Sequence, residues 1–268
     1  ISQIQTLKSN YKFSTIEFAD TSLSKYLYDE DVALKLKEIK VALYGEIRAV
    51  LSDKKAINMK KAGFYGVQIG IESFSTNVLR LMKKPADLIT NIYNLRICYE
   101  NEIECAYNII LDFPETKRQD ILDMINLIPK IVHLTPPTAL VKFFLMLNSY
   151  VYNNSNKYKL INIRPSKYYN YINNPSITLS YPYQYFDYDR QDDDITDYFR
   201  LFNESCQKWL KVYNSENSLL KIEKTDDNYL ISDSRTDNDE KFIIVLLLDF
   251  KSIHSFRLNN SINPLIYK

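Results

Sequence analysis

The sequence is poor in glycine, with 4 in 268 residues where average usage of about 7% predicts about 19. All four, Gly45, Gly63, Gly66 and Gly70, fall between residues 45 and 70, so they are the glycines to examine. Asn, Lys, Ile and Tyr are correspondingly heavy, a bias that an AT-rich genome produces without functional cause. Cysteine is scarce as well: Cys98, Cys105 and Cys206 make no disulfide framework, which points to a reducing cytoplasm. The two histidines, His133 and His254, form no metal-spaced set, and there is no nucleophile elbow. The longest apolar run, Phe242 to Leu248, is core-sized and falls short of the ~18 residues that span a bilayer. No signal peptide is visible. Charge of one sign is missing too: 34 basic and 33 acidic side chains leave a net charge of +1. That balance argues against an electrostatic grip on nucleic acid. Neither nucleic acid nor a membrane is an expected partner.

What is present is ordinary globular material, 46% hydrophobic and 25% charged, long enough for a substantial core. The chain opens at Ile1 in helical sequence without an initiator methionine, and reads as a cut piece. Strand and helix patterns then alternate. Strands are expected over Phe13 to Phe18, Val41 to Ile47, Tyr65 to Ile71, Glu104 to Leu111 and Ala139 to Leu145. Helices are expected over Ser22 to Ile39, Asp53 to Lys61, from Ser73 or Ser75 through Met82, from beyond Pro85 to Glu100, and over Lys117 to Ile131. This alternation means right-handed βαβ units and a parallel sheet. An α/β barrel missing its first strand is the economical reading, and an open doubly wound sheet the alternative. In both, ligands bind beyond the C-terminal strand ends.

After about residue 150 the character changes. Ten of the 22 tyrosines lie between Tyr150 and Tyr188, a stretch that reads as a cap packed by aromatics. The acidic run from Asp187 to Asp194 reads as a solvated helix start, with a grip on a basic leader peptide as the alternative. A helix is expected over Ile195 to Val212, its apolar side carrying Ile195, Phe199, Phe202, Cys206, Trp209 and Leu210. Leu219 to Glu223 and Tyr229 to Ser232 read as a hairpin, and Lys241 to Phe256 as a last helix.

The densest signal is Gly66-Val67-Gln68-Ile69-Gly70-Ile71-Glu72-Ser73. Glycines inside a strand clear space for a close approach. Glu72 at the strand's exit can accept hydrogen bonds from hydroxyls or an ammonium, with Gln68 on the same face. A solvated glutamate leaving a tight barrel strand is the plain structural alternative.

Together with Ala62-Gly63-Phe64 and Leu79-Arg80-Leu81-Met82-Lys83-Lys84, this run resembles radical S-adenosylmethionine (radical SAM) enzymes. More narrowly, it resembles the cobalamin-associated type that matures ribosomally made peptides, often as C-methyltransferases. Phe18-Ala19-Asp20, Tyr44-Gly45-Glu46-Ile47-Arg48, the Asn108 to Thr116 segment, His133-Leu134-Thr135-Pro136-Pro137 and Ile231-Ser232-Asp233-Ser234-Arg235 follow in the family's order. The resemblance implies a partial radical-SAM (β/α) barrel over 1–149 that lacks its first strand. A mostly helical, Tyr-rich extension over 150–213 and a C-terminal β-hairpin plus helix over 214–268 would follow. It also implies roles. Asp20 and Thr21 would meet the methionine amino group of S-adenosylmethionine (SAM), and Glu46 and Arg48 its carboxylate or the substrate. Glu72 and Ser73 would lie near the ribose, with Gln68 beside them, and Ile110 to Phe113, including Asp112, would pass under the adenine.

The implied partner is a ribosomal precursor peptide. The implied cofactors are SAM, a four-iron four-sulfur cluster and, in the intact protein, cobalamin. The family's Cys-x3-Cys-x2-Cys cluster motif and its N-terminal cobalamin domain are absent from this sequence, and Cys98 and Cys105 read as ordinary buried thiols. The chain by itself is therefore not expected to cleave SAM. A degenerate relative that binds peptide without catalysis is the competing expectation.

Overall fold

The computed structural model describes residues 1–169, 183–191, 195–215, 220–224, 229–235 and 242–246. It is a mixed α/β structure built on a parallel sheet. Strands β1 (Thr15–Glu17), β2 (Ala42–Arg48), β3 (Phe64–Gly70) and β4 (Glu104–Ala106) lie side by side in chain order, each parallel to the next. The expected single strand over Glu104 to Leu111 is interrupted at Tyr107, whose N–H donates to the Thr138 hydroxyl at 3.2 Å. It resumes as β5 (Asn108–Leu111), parallel to β6 (Ala139–Lys142), and a bridge from Glu72 to Ile109 ties β5 to β3. A doubly wound sheet reverses its strand order at a switch point. These strands follow one another without reversal.

The crossovers are α2 (Glu30–Ile39), α3 (Asp53–Ala62), α4 (Thr76–Leu81), α5 (Leu88–Glu100) and α6 (Arg118–Ile131). A short helix, α1 (Ser2–Asn10), precedes β1, and a 3-10 turn (Lys25–Tyr28) precedes α2. Oxygen-bearing side chains start the helices by accepting otherwise orphaned N–H groups: Ser52 from Lys55 at 3.4 Å, Ser75 from Val78 at 3.3 Å, Asp87 from Thr90 at 2.8 Å. Of the two serines that could cap α4, Ser75 does so. Side chains alternate across each strand. Leu43, Ile47, Val67, Ile69 and Ile71 are buried in one core with Leu36, Met59, Ile92, Leu95, Ile121 and Ile128 of the helices. The opposite face, with Tyr44, Glu46, Gln68 and Ile110, is only half-buried.

Ahead of its long helix the extension also contains strands, which the sequence reading did not foresee. Two-residue β7 (Leu145–Met146), β8 (Leu160–Pro165) and β9 (Tyr185–Arg190) form an antiparallel sheet in the order β7-β9-β8. Only α7 (Tyr150–Asn153) and a 3-10 turn (Ser155–Tyr158) are helical before β8. The reason is local. Leu-Ile-Asn-Ile-Arg and Tyr-Phe-Asp-Tyr-Asp carry β-branched and aromatic residues with an approach to period two, which suits a pleated surface. This sheet has its own small core of Val78, Phe113, Leu145, Val151, Tyr158 and Leu160.

Helix α8 (Thr196–Asn214) packs on α6, and the buried Trp209 indole donates to Leu134 O at 2.9 Å. Phe202, Cys206 and Trp209 are buried as the helical spacing requires, whereas Leu210 is exposed. The hairpin is present as β10 (Leu220–Lys224) and β11 (Tyr229–Asp233). The helix expected from Lys241 is instead a third antiparallel strand, β12 (Phe242–Leu246), paired from Asp233↔Phe242 to Tyr229↔Leu246. A short apolar run is compatible with strand or buried helix, and pairing to β11 decides it. The rest of that segment, with His254, and Asp192 to Asp194 of the acidic run lie outside the described residues. Among the described residues no helix is long and apolar enough to cross a membrane.

Candidate functional site

The exit of β3 is tightly built. Glu72 turns into the left-handed region (φ 63°) and its carbonyl accepts from Ile110 N at 2.8 Å. From α5, the fully buried Asn91 donates through Nδ2 to Ile71 O and Ser73 O, both at 2.9 Å. Three residues on, buried Asn94 accepts from Leu51 N at 2.8 Å, fixing the loop after β2. Residues three apart share a helix face, so one face of α5 holds two neighbouring strand exits. The Glu72 carboxylate pairs with Lys84 Nζ at 2.7 Å. Gly70 makes room for it, since a Cβ there would stand 3.3 Å from Glu72 Oε1. At Gly66 a Cβ would meet Glu104 Cβ and Tyr44 Cδ2 at 3.1 Å, so that glycine admits the neighbouring strands.

The half-buried face carries most of the other expected residues. Glu46 lies opposite Gln68, and Arg48 opposite Gly70. Burial, followed by the nearby Glu17 carboxylate, raises the Tyr44 phenol above its ordinary value. Asp20 and Thr21 are exposed in a loop pinned across β2 by Phe18 N to Tyr44 O at 2.9 Å and Leu23 N to Glu46 O at 2.8 Å. The structure thus gathers the loop of Asp20 and Thr21, then Glu46, Gln68, Glu72 and Ile110, along adjacent strand ends. Arg48 reaches into solvent. Ser73 points the other way: its hydroxyl is buried, accepts from Ser75 N at 3.0 Å and lies 3.5 Å from Met124 Sδ. Asp112, also left-handed (φ 59°), pairs with Arg190 of β9 and with Lys142 at 3.3 Å. Asn91, Asn94 and Arg190 were not legible as site residues, and Lys84 was visible only as part of a motif.

The described residues do not fit an iron–sulfur cluster. No group of three or more His, Cys, Asp or Glu among them could hold a metal ion. Cluster ligands must be thiolates, and the three cysteines here are buried and free of disulfides. A hydrogen bond with Cys98 and then burial raise the Cys105 thiol, while burial pushes Cys206 up to about 12. His133 is buried, its pKa pushed down to about 3 chiefly by that burial, and its Nδ1 has no hydrogen-bond partner among the described residues.

No family model and no curated protein matches the sequence. The solved structures that resemble the chain include radical SAM enzymes. The radical SAM methyltransferase TsrM from Kitasatospora setae, with cobalamin and a [4Fe-4S] cluster bound, aligns with a TM-score of 0.46 and 12% identity over 55% of this chain and 30% of that one. The cobalamin-dependent SAM radical enzyme OxsB aligns at 0.48 and 15% over 78% of this chain and 36% of that one. Coproporphyrinogen III oxidase (HemN) from Escherichia coli, a radical SAM enzyme, aligns at 0.41 and 10% over 88% and 59%. The chain spans about a third of the length of the first two proteins.

Proposed function

We propose that this chain holds SAM across the exits of β1 to β5, as part of a radical SAM-type enzyme that C-methylates a ribosomal precursor peptide. The observation that carries the reading is the unreversed strand order. It brings the loop of Asp20 and Thr21, then Glu46, Glu72 and Ile110, to neighbouring strand ends beside a half-buried polar face. The order of sequence motifs supports it independently. In this reading Asp20 and Thr21 receive the ammonium, Glu46 and Arg48 face the methionine carboxylate or the substrate, and Glu72 with Gln68 receives the ribose hydroxyls. Ser73 faces inward and fixes the turn into α4 through Ser75 N, and Ile110 and the Asp112 turn lie beneath the adenine. Lys84 is a positioning residue, since its ion pair holds the Glu72 carboxylate in place.

In an enzyme of this type a four-iron four-sulfur cluster supplies the electron that cleaves SAM, and cobalamin carries the methyl group. The residues described here do not furnish the cluster's ligands, and no step is assigned to them through it. What they contribute is binding and orientation of the cofactor, the usual share of the protein in such chemistry.

A second reading, a peptide-binding relative without catalysis, is favoured by that lack of cluster ligands among the described residues and by the existing Glu72–Lys84 pair. Calorimetric titration with SAM separates the two. The expected result is saturable binding weakened at least tenfold, about 1.4 kcal/mol, by Glu72→Gln. Absence of SAM binding, together with precursor-peptide affinity indifferent to SAM, would establish the second reading.

A further inference from the structure

We propose that a cavity beside this site takes an extended peptide segment bearing a carboxylate next to an aromatic or apolar side chain. The inference rests on the peptide reading above for its choice of a peptide, and on the cavity's own chemistry for the rest. β7 pairs with β9 only at Leu145↔Phe186 and Met146↔Tyr185. Before Leu145 the chain belongs to β6 and the parallel layer, so from Phe144 and Asp187 onward the two strands diverge. A cavity of about 410 Å³ opens in that fork, a volume in the range of small-ligand sites. A fork between diverging strands accommodates a third extended chain, the geometry of strand addition.

The lining selects the occupant. Four cationic side chains, Lys142, Arg164, Lys167 and Arg190, face two carboxylates, Asp112 and Asp187. Both carboxylates are already engaged. Asp112 is paired with Arg190 and Lys142, while Asp187 accepts from Ser166 Oγ at 3.0 Å and Lys167 N at 2.8 Å. Lys167 makes that contact through its backbone, so its ammonium is left for a ligand, and Lys142, at 3.3 Å from Asp112 and largely exposed, is held loosely. Arg164 is paired with Asp189 at 3.0 Å, so the positive charge left where a carboxylate would enter is that of Lys167, with the loosely held Lys142 beside it. Phe144, Tyr168 and Tyr185 are exposed at the same cavity. Aromatic faces left in water at a concave site are the surface that an apolar side chain of the ligand would cover.

The test uses calorimetry on the full chain with N-acetyl-Asp-Phe-Glu-Val amide, its lysine counterpart N-acetyl-Lys-Phe-Lys-Val amide, and phenylacetate. The acidic peptide is expected to bind at least tenfold more tightly than the basic one. Lys167→Glu, with its fold checked by circular dichroism, is expected to weaken it at least fivefold. Equal affinity for the two peptides, unchanged affinity in Lys167→Glu, or phenylacetate bound as tightly as the acidic peptide would each overturn the proposal. SAM titrated into the same samples keeps the two readings apart: charge-selective peptide binding without SAM binding upholds the cavity and removes the cofactor site.

Discussion

His133 follows the end of α6 and is buried close to Arg235 and Asp233. Burial, reinforced by the Arg235 charge and opposed by Asp233, takes its pKa from 6.5 to about 3. The unfolded chain therefore binds a proton near pH 6.5 that the folded chain refuses until about pH 3. Between those values the unfolded state holds more protons, so stability falls as pH falls, and above pH 6.5 this residue contributes no slope. At about 1.4 kcal/mol per pH unit the full effect reaches up to about 5 kcal/mol. Urea midpoints measured from pH 7 to 3 are expected to decline less steeply in His133→Gln than in the parent. Parallel declines would show that the imidazole takes up its proton as readily inside the fold as outside it. At this scale the sequence showed which polar residues stand at strand exits, because a strand's last residue is readable from its pattern. It did not show Ser73 turning inward while Ser75 caps the helix, since two serines so close in sequence are chemically equivalent until the chain direction is known.

Among the elements, α5 does more than cover the sheet. Its apolar positions Leu88, Ile92 and Leu95 are legible in the sequence as a helix face, whereas Asn91 and Asn94 carry no signal there. Both are in fact buried, because the carbonyls of a strand exit and the N–H of the next loop supply their partners. Such a match depends on tertiary placement and leaves no periodic trace. Asn91→Leu, similar in size, takes the donor from the Ser73 carbonyl while Ile71 O keeps Ser73 N at 2.7 Å, and is expected to cost about 1–3 kcal/mol, the penalty of one unsatisfied group. Asn101→Leu, which loses one bond to Ile97 O at the same helix's end, is expected to cost under about 1 kcal/mol. Denaturant titration of both variants checks the contrast, and equal losses would place Asn91 among ordinary helix residues. The antiparallel sheet escaped the sequence reading for a related cause. Tyrosine is frequent throughout Tyr150 to Tyr188, so its strands do not stand out by composition, and their pairing partners are far apart in the chain.

Across the whole molecule, two late segments return to α6. Trp209 of α8 bonds to Leu134 O, and Arg235 beyond β11 donates to Lys130 O at 2.6 Å while gripping Asp233 through Nε at 2.8 Å and Nη2 at 2.6 Å. The Asp-Ser-Arg end of the hairpin motif is thus a cap on the carbonyl end of α6, where a cation is favoured. The pair is nearly buried, and breaking such a pair typically costs 3–5 kcal/mol. Arg235→Ala is expected to lower stability by about 3 kcal/mol. The double variant with Asp233→Ala should lose clearly less than the two single losses added, as a double-mutant cycle in denaturant will read. Strict additivity would mean that the two residues act separately. The parallel layer has a different economy. Because each strand lies beside its predecessor, a nascent chain can lay it down piece by piece as it leaves the ribosome, every crossover closing on material already made. Both α8 and the segment that ends in Arg235 reach back to α6 to finish the structure, and α8 carries the sole tryptophan. Indole fluorescence in this protein accordingly dates the fastening of the clasp and is silent about the strands set before it.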